Sequence, residues 1–136
     1  MLFRSATAGA GRIVGAFAAA LGEGRLALVP YVVAGYPDAE GSFAVACAAI
    51  DAGADLLEVG LPYSDPLADG ATLQRASQAA LGAGATFDRS LALVAQVAAA
   101  RPATPLVVMG YANQLDRKST RLNSSHSQQS RMPSSA

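Results

Sequence analysis

The chain has 136 residues, a formal net charge of zero, 51% hydrophobic residues, one Cys and no Trp. That length holds one modest domain and not two, and neutrality argues against a nucleic-acid or anionic-membrane binder, which carries a basic excess. The average hides two unlike pieces. Residues 1–116 carry 6 basic against 10 acidic side chains, whereas residues 117–136 carry 4 basic and no acidic ones.

In chain order, Arg12–Leu21 reads as a short amphipathic helix, with Ile13, Phe17 and Leu21 at helical spacing and Gly22 at its end. Arg4 and Arg12 with no acid before Glu23 are too little to make a transit peptide. Leu26–Ala34 is a continuous apolar run of strand length. Continuous rather than alternating apolarity predicts a strand covered on both faces, as in a parallel sheet. Asp38 or Ser42 can cap the helix that follows, and Gly53 ends it. Cys47 lies in the Ala-rich part of that helix, with His126 far away in sequence. It is expected to be a buried, inert residue that forms no internal disulfide.

Asp55–Gly60 is the second strand, and a loop rich in Pro and Asp runs from Leu61 to Gly70. Thr72–Leu81 is a helix. Gly82 and Gly84 break the chain, Thr86 caps a helix to about Ala100, Pro102 stops it, and Pro105–Tyr111 is the third strand. Strands separated by helices imply parallel βαβ units in an α/β fold. Two architectures fit, an open doubly wound sheet or a (β/α)8 barrel, and three strands cannot close a barrel. No apolar run approaches the roughly 18 residues that span a bilayer, and a cytoplasmic location is expected.

The segment 117–136 contains seven Ser and no acidic residue. It shows no periodicity and is expected to be disordered.

Glu58 is the first candidate for chemistry. Strand alternation puts Leu56, Glu58 and Gly60 on one face and Leu57 and Val59 on the other. A carboxylate then sits near the C-terminal end of a buried strand, where parallel α/β folds bind ligands. It suits a general acid/base; a carboxylate satisfied by loop N–H groups suits the pattern equally. Asp65 and Asp69, four apart between prolines and a glycine, shape a loop over the strand ends, although ordinary Asp turn chemistry explains them as well. The run lacks the alternating ligands of a calcium loop. Gly9–Gly15 has the glycines of a dinucleotide fingerprint without the preceding strand and is rejected. No Walker loop, nucleophile–His–Asp set or zinc spacing occurs.

Taken together, GRLALVPYVVAGYPD (Gly24–Asp38), DAGADLLEVGLPYSDPLADG (Asp51–Gly70) and PLVVMGYAN (Pro105–Asn113) resemble the first three strand regions of the tryptophan synthase alpha subunits. The run E-x-G-x-P-Y-S-D-P-x-A-D-G is the most specific part. The resemblance covers about residues 12–115. It implies the first three βα units, residues 1–116, of a (β/α)8 barrel of roughly 250 residues. It also implies cleavage of indole-3-glycerol phosphate to indole and glyceraldehyde 3-phosphate, a retro-aldol step without a cofactor.

On that resemblance Glu58 takes the place of the catalytic general acid/base and Asp69 that of a second catalytic carboxylate accepting from the indole N–H. Tyr31, Met109 and Tyr111 fall on positions that line the indole pocket; barrel-core packing is the alternative for each. Asp65 falls in the segment that meets a beta subunit, which carries pyridoxal phosphate and completes an alpha2-beta2 heterotetramer. Strands four to eight and the phosphate site have no counterpart here, so this chain by itself is expected to turn over little or nothing. Residues 117–136 are expected to be non-native sequence. The competing expectations are a fragment that only docks on a beta subunit and a free-standing open α/β domain of unrelated function.

Overall fold

The computed structural model describes residues 3–114. Seven elements follow in the expected order: α1 (Phe3–Gly22), β1 (Tyr31–Val33), α2 (Ala39–Asp51), β2 (Leu57–Gly60), α3 (Ala71–Gly82), α4 (Phe87–Ala100) and β3 (Leu106–Met109). The strands form one parallel sheet in the order β1-β2-β3. Tyr31 lies beside Glu58 and Glu58 beside Val107; two residues on, Val33, Gly60 and Met109 share a row. The chain is therefore an α/β fold, and residues 117–136 lie outside the described part.

Local chemistry accounts for the element ends. Asp38 is extended (φ −150°) and its carboxylate accepts from the Gly41 N–H at 2.7 Å, capping α2. Such a cap satisfies one of the N–H groups that the first helical turn leaves without a partner. Ser42, the alternative cap, lies one turn inside the helix and does something else. It is buried, accepts from the Gly35 N–H at 3.1 Å and donates to the Val33 carbonyl at 3.3 Å, tying α2 to the end of β1. Thr86 caps α4 through the Arg89 N–H at 3.2 Å. Past the end of α2 the backbone turns through Gly53 at φ +105°, a conformation that costs glycine little and other residues more.

Two expectations are corrected. The first helix begins at Phe3 rather than Arg12, because the Ala-rich stretch before Arg12 contains no proline and carries the helix through Gly9 and Gly11. Its apolar stripe is only partly covered: Ile13 is half-buried, whereas Phe17 is 49% and Leu21 78% exposed. The strands are also shorter than the apolar runs that announced them. Pro30 and Pro105 have no N–H to give to a ladder. Their carbonyls still accept from Glu58 and Leu57 at 2.9 and 3.1 Å, so the pairing extends past the strand limits.

The core lies between the sheet and the helices α2 and α4. Leu57 and Val59 are fully buried against Ala46, Ile50, Leu93 and Val97. Leu57 and Val59 thus face the helices, as strand alternation requires. The opposite face carries Tyr31, Glu58 and Gly60, and among the described residues no helix covers it as α2 and α4 cover the first. The continuous apolarity of residues 26–34 therefore does not correspond to burial on both faces here, since Leu26 and Leu28 are exposed.

At the N-terminal ends of the strands, Arg25 grips Asp55 with two hydrogen bonds of 2.7 and 2.8 Å, and the same carboxylate accepts from the Leu28 N–H at 2.8 Å. The guanidinium holds the Asp55 carboxyl down at about 2, with the Leu28 N–H assisting. Arg101 makes a second two-pronged pair with Asp51, at 2.6 Å for each contact, joining the end of α4 to the end of α2. Asp51 is lowered mainly by that bond. In parallel α/β folds these features belong at the strand end away from the chemistry.

Candidate active site at the C-terminal strand ends

An open cavity of about 340 Å³ lies over the uncovered face of the sheet, at the C-terminal ends of the strands. It is lined by Tyr31 of β1, Glu58 of β2, Asp69 of the 61–70 loop, Leu73 of α3, and Met109 and Tyr111 at the end of β3. Leu61, Ala68 and Gly110 complete the wall. Five of the six residues selected from the sequence thus meet around one space. The sixth, Asp65, does not line it and is exposed. A second cavity of about 70 Å³, lined by Gly35, Gly84, Ala85, Arg89, Ser90 and neighbours, contains no carboxylate.

Glu58 reaches the cavity because of its register. Its N–H bonds to the Pro30 carbonyl at 2.9 Å, which sets the strand so that Leu57 and Val59 turn into the core and Glu58 turns away from it. Tyr31, its neighbour on β1, lies across β2 with its hydroxyl against Gly60; a Cβ on residue 60 would overlap that hydroxyl. Glycine at 60 is therefore what leaves room for the hydroxyl end of the Tyr31 ring. Partial burial raises the Tyr31 phenol above its usual value, and the carboxylates of Asp69 and Glu58 add to the shift.

The loop bearing Asp69 is an ordered structure. A turn from Pro66 to Asp69 is closed by the Asp69 N–H on the Pro66 carbonyl at 3.1 Å. Tyr111 accepts from the Ala68 N–H at 3.1 Å, and its ring stacks on Tyr63 with centroids 4.9 Å apart. Asn113 donates to the Tyr63 hydroxyl at 2.5 Å, and Gln114 donates to the Pro62 carbonyl at 3.1 Å. From α3, Gln74 donates to the Asp69 carbonyl at 2.8 Å. Tyr63, Gln74, Asn113 and Gln114 were not foreseen as part of the site. Each is polar and falls where ordinary loop or helix surface is expected, and what they touch lies up to 52 residues away in sequence.

Chemically, the arrangement offers two carboxylates and two phenols around an apolar wall of Leu61, Leu73 and Met109. That combination suits a flat, partly polar ligand whose reaction requires proton transfer. Among the described residues no group of three or more His, Cys, Asp or Glu is placed to hold a metal ion. Likewise no helix among them is long and apolar enough to cross a membrane.

Comparison with known proteins gives one consistent result. The family model described as tryptophan synthase alpha chain matches residues 17–128, a span that runs past the described residues. The chain is 47% identical over 105 residues to the tryptophan synthase alpha chain of Dechloromonas aromatica, covering 77% of this chain and 39% of that one. It is 48% identical to that of Granulibacter bethesdensis, covering 77% and 38%. Among solved structures it is similar to tryptophan synthase from M. tuberculosis in its aminoacrylate-bound form, with 39% identity and a TM-score of 0.71 over 78% of this chain and 42% of that one. It is also similar to the alpha subunit from Legionella pneumophila strain Paris, with 34% identity and a TM-score of 0.74 over 79% and 41%. The chain spans about two fifths of the length of these relatives.

Proposed function

The chain belongs to the tryptophan synthase alpha chain family, and from that premise we propose that the protein of which it forms part cleaves indole-3-glycerol phosphate to indole and glyceraldehyde 3-phosphate. The three βα units described here are then the opening part of a (β/α)8 barrel, with the sheet face that carries Glu58 turned to the barrel interior. One observation supports the reading above all others: Glu58, Asp69, Tyr31, Met109 and Tyr111 line a single cavity at the C-terminal strand ends.

The chemistry follows from the residues. Breaking the bond between the indole ring and the glycerol chain requires a proton at C3 of the ring and the loss of one from the adjacent glycerol hydroxyl. Glu58, as general acid and base, moves that proton. Asp69 accepts from the indole N–H and stabilises the positive charge that the ring nitrogen acquires as C3 is protonated. Tyr31, Met109 and Tyr111 enclose the ring. The alpha reaction needs no cofactor; pyridoxal phosphate belongs to the partner beta subunit, with which this chain's parent forms an alpha2-beta2 assembly. Asp65, which is exposed and outside the cavity wall, is the residue assigned to contact that partner. The setting is the cytoplasm.

The groups that hold the substrate phosphate are not among the residues described. In barrels of this kind that site is commonly built by the loops after the seventh and eighth strands. Positioning of this sort lowers a barrier by several kcal/mol, so the 136-residue chain alone turns over little. The test is indole release from indole-3-glycerol phosphate by the full-length protein, with and without a beta subunit. Glu58→Gln is expected to lower kcat by a factor of about 10² to 10⁴, the range for removing a general acid/base. Near-full activity in that variant would defeat the assignment. Substantial turnover by the 136-residue chain that vanishes in Glu58→Gln would defeat the claim that the chain alone is incomplete.

A further inference from the structure

The backbone around Asp69 is held on every side. Its own N–H is bonded to the Pro66 carbonyl at 3.1 Å. The preceding N–H, that of Ala68, is held by the Tyr111 hydroxyl at 3.1 Å. Its carbonyl accepts from Gln74 Nε2 at 2.8 Å, and the same nitrogen reaches the Pro66 carbonyl at 3.4 Å. Gln74 is itself anchored, since its N–H bonds to the Gly70 carbonyl at 3.0 Å in the first turn of α3. Gly70 begins that helix and offers no side-chain cap. The Gln74 amide folds back over the helix start and uses its two N–H donors on two carbonyls of the loop.

We propose that Gln74 is a positioning residue for the Asp69 carboxylate: by holding the Asp69 carbonyl and the Pro66 carbonyl that receives the Asp69 N–H, it fixes the direction of the Cα–Cβ bond and aims the carboxylate into the cavity. This rests on the reading of Asp69 as the acceptor for the indole N–H. Hydrogen-bond geometry makes the effect directional. A carboxylate that swings aside still leaves an apolar wall able to hold the ring, but it no longer meets the N–H at 2.7–3.2 Å in line. Gln74 therefore acts on recognition of the N–H and not on affinity for flat aromatic ligands in general.

The experiment compares two probes of nearly equal shape, indole and benzothiophene, the second lacking the N–H donor. Dissociation constants are measured by calorimetry on the full-length protein and on three variants: Asp69→Asn, Gln74→Met and Gln74→Glu. The parent is expected to prefer indole by about tenfold, the value of one well-made hydrogen bond to a charged acceptor. Asp69→Asn and both Gln74 variants are expected to bring that preference within about twofold, and the Gln74 variants to leave benzothiophene binding unchanged. Gln74→Glu keeps the shape of the side chain, so it carries the test if Gln74→Met does not fold. Retention of the indole preference in the Gln74 variants, when Asp69→Asn loses it, overturns the inference alone. Equal weakening of both probes also overturns it, because that is the mark of general damage to the pocket. Absence of any preference in the parent overturns the reading of Asp69 and this inference with it.

Discussion

Gly60 and Tyr31 show how a single missing atom shapes the candidate site. The Tyr31 ring lies across β2 only because residue 60 has no Cβ. In Gly60→Ala the new methyl occupies the place of the hydroxyl. A side-chain tip can swing away where backbone could not, so Tyr31 moves toward the cavity and the fold survives. The expected outcome is a rise of about tenfold in KM for indole-3-glycerol phosphate in the full-length protein, a loss of roughly 1.4 kcal/mol of binding, with far-UV circular dichroism unchanged. An unchanged KM would show that the ring's posture is immaterial. Glu58 was legible from strand alternation and Asp69 from the family motif, since each needs only local sequence. Gln74 was not, because nothing local distinguishes an amide folded back onto a loop from one in water.

At the scale of elements, local chemistry and long-range pairing divide the work. The caps at Asp38 and Thr86 were readable because a cap is made within three residues of itself. Asp38→Ala removes the acceptor of the Gly41 N–H and is expected to cost about 1 kcal/mol of stability, read as a lower denaturation midpoint at unchanged slope. A midpoint equal to the parent's would mean that water replaces the carboxylate without loss. Of the two residues able to cap α2, Asp38 does so, while Ser42 finds its partners, the Gly35 N–H and the Val33 carbonyl, at the preceding strand end.

The Asp55–Arg25 clasp gives a prediction in pH. Asp55 has its carboxyl near 2 in the folded chain and an ordinary value of 3.8 when free. A depressed carboxyl favours the folded state wherever it is ionised. That contribution is complete above about pH 4 and is lost as pH falls from there through 2. Asp55→Asn should therefore be less stable than the parent at pH 7, with the difference shrinking as pH drops through that window. A difference that persisted undiminished below pH 2 would contradict the assignment.

For the molecule as a whole, the sheet separates two environments. One face is closed by α2 and α4 and holds the core. The other carries the cavity, and the outer edges of β1 and β3 have no strand partner among the described residues. Leu26 is 92% exposed, and Val14, Leu21, Leu28 and Met109 are exposed as well. Unpaired edges and apolar surface of this kind favour association. The isolated 136-residue chain is expected to bind a hydrophobic dye strongly and to self-associate as its concentration rises. A sharp, cooperative melt of a monomer that binds no dye would refute this.

The sequence alone determined the order of seven elements, their parallel α/β class, the strand face on which Glu58 lies and the family, because periodicity, capping and the E-x-G-x-P-Y-S-D-P-x-A-D-G run act over short stretches. Tertiary structure decided the rest. The stacking of Tyr63 on Tyr111, the clamp of Gln74 on Asp69 and the exposure of Phe17 and Leu21 on the first helix all depend on which elements come together in space. Those contacts join residues brought together by strand register and loop closure, and neither is written in any local pattern of side chains. The site was legible as a set of residues, but its geometry belongs to the fold.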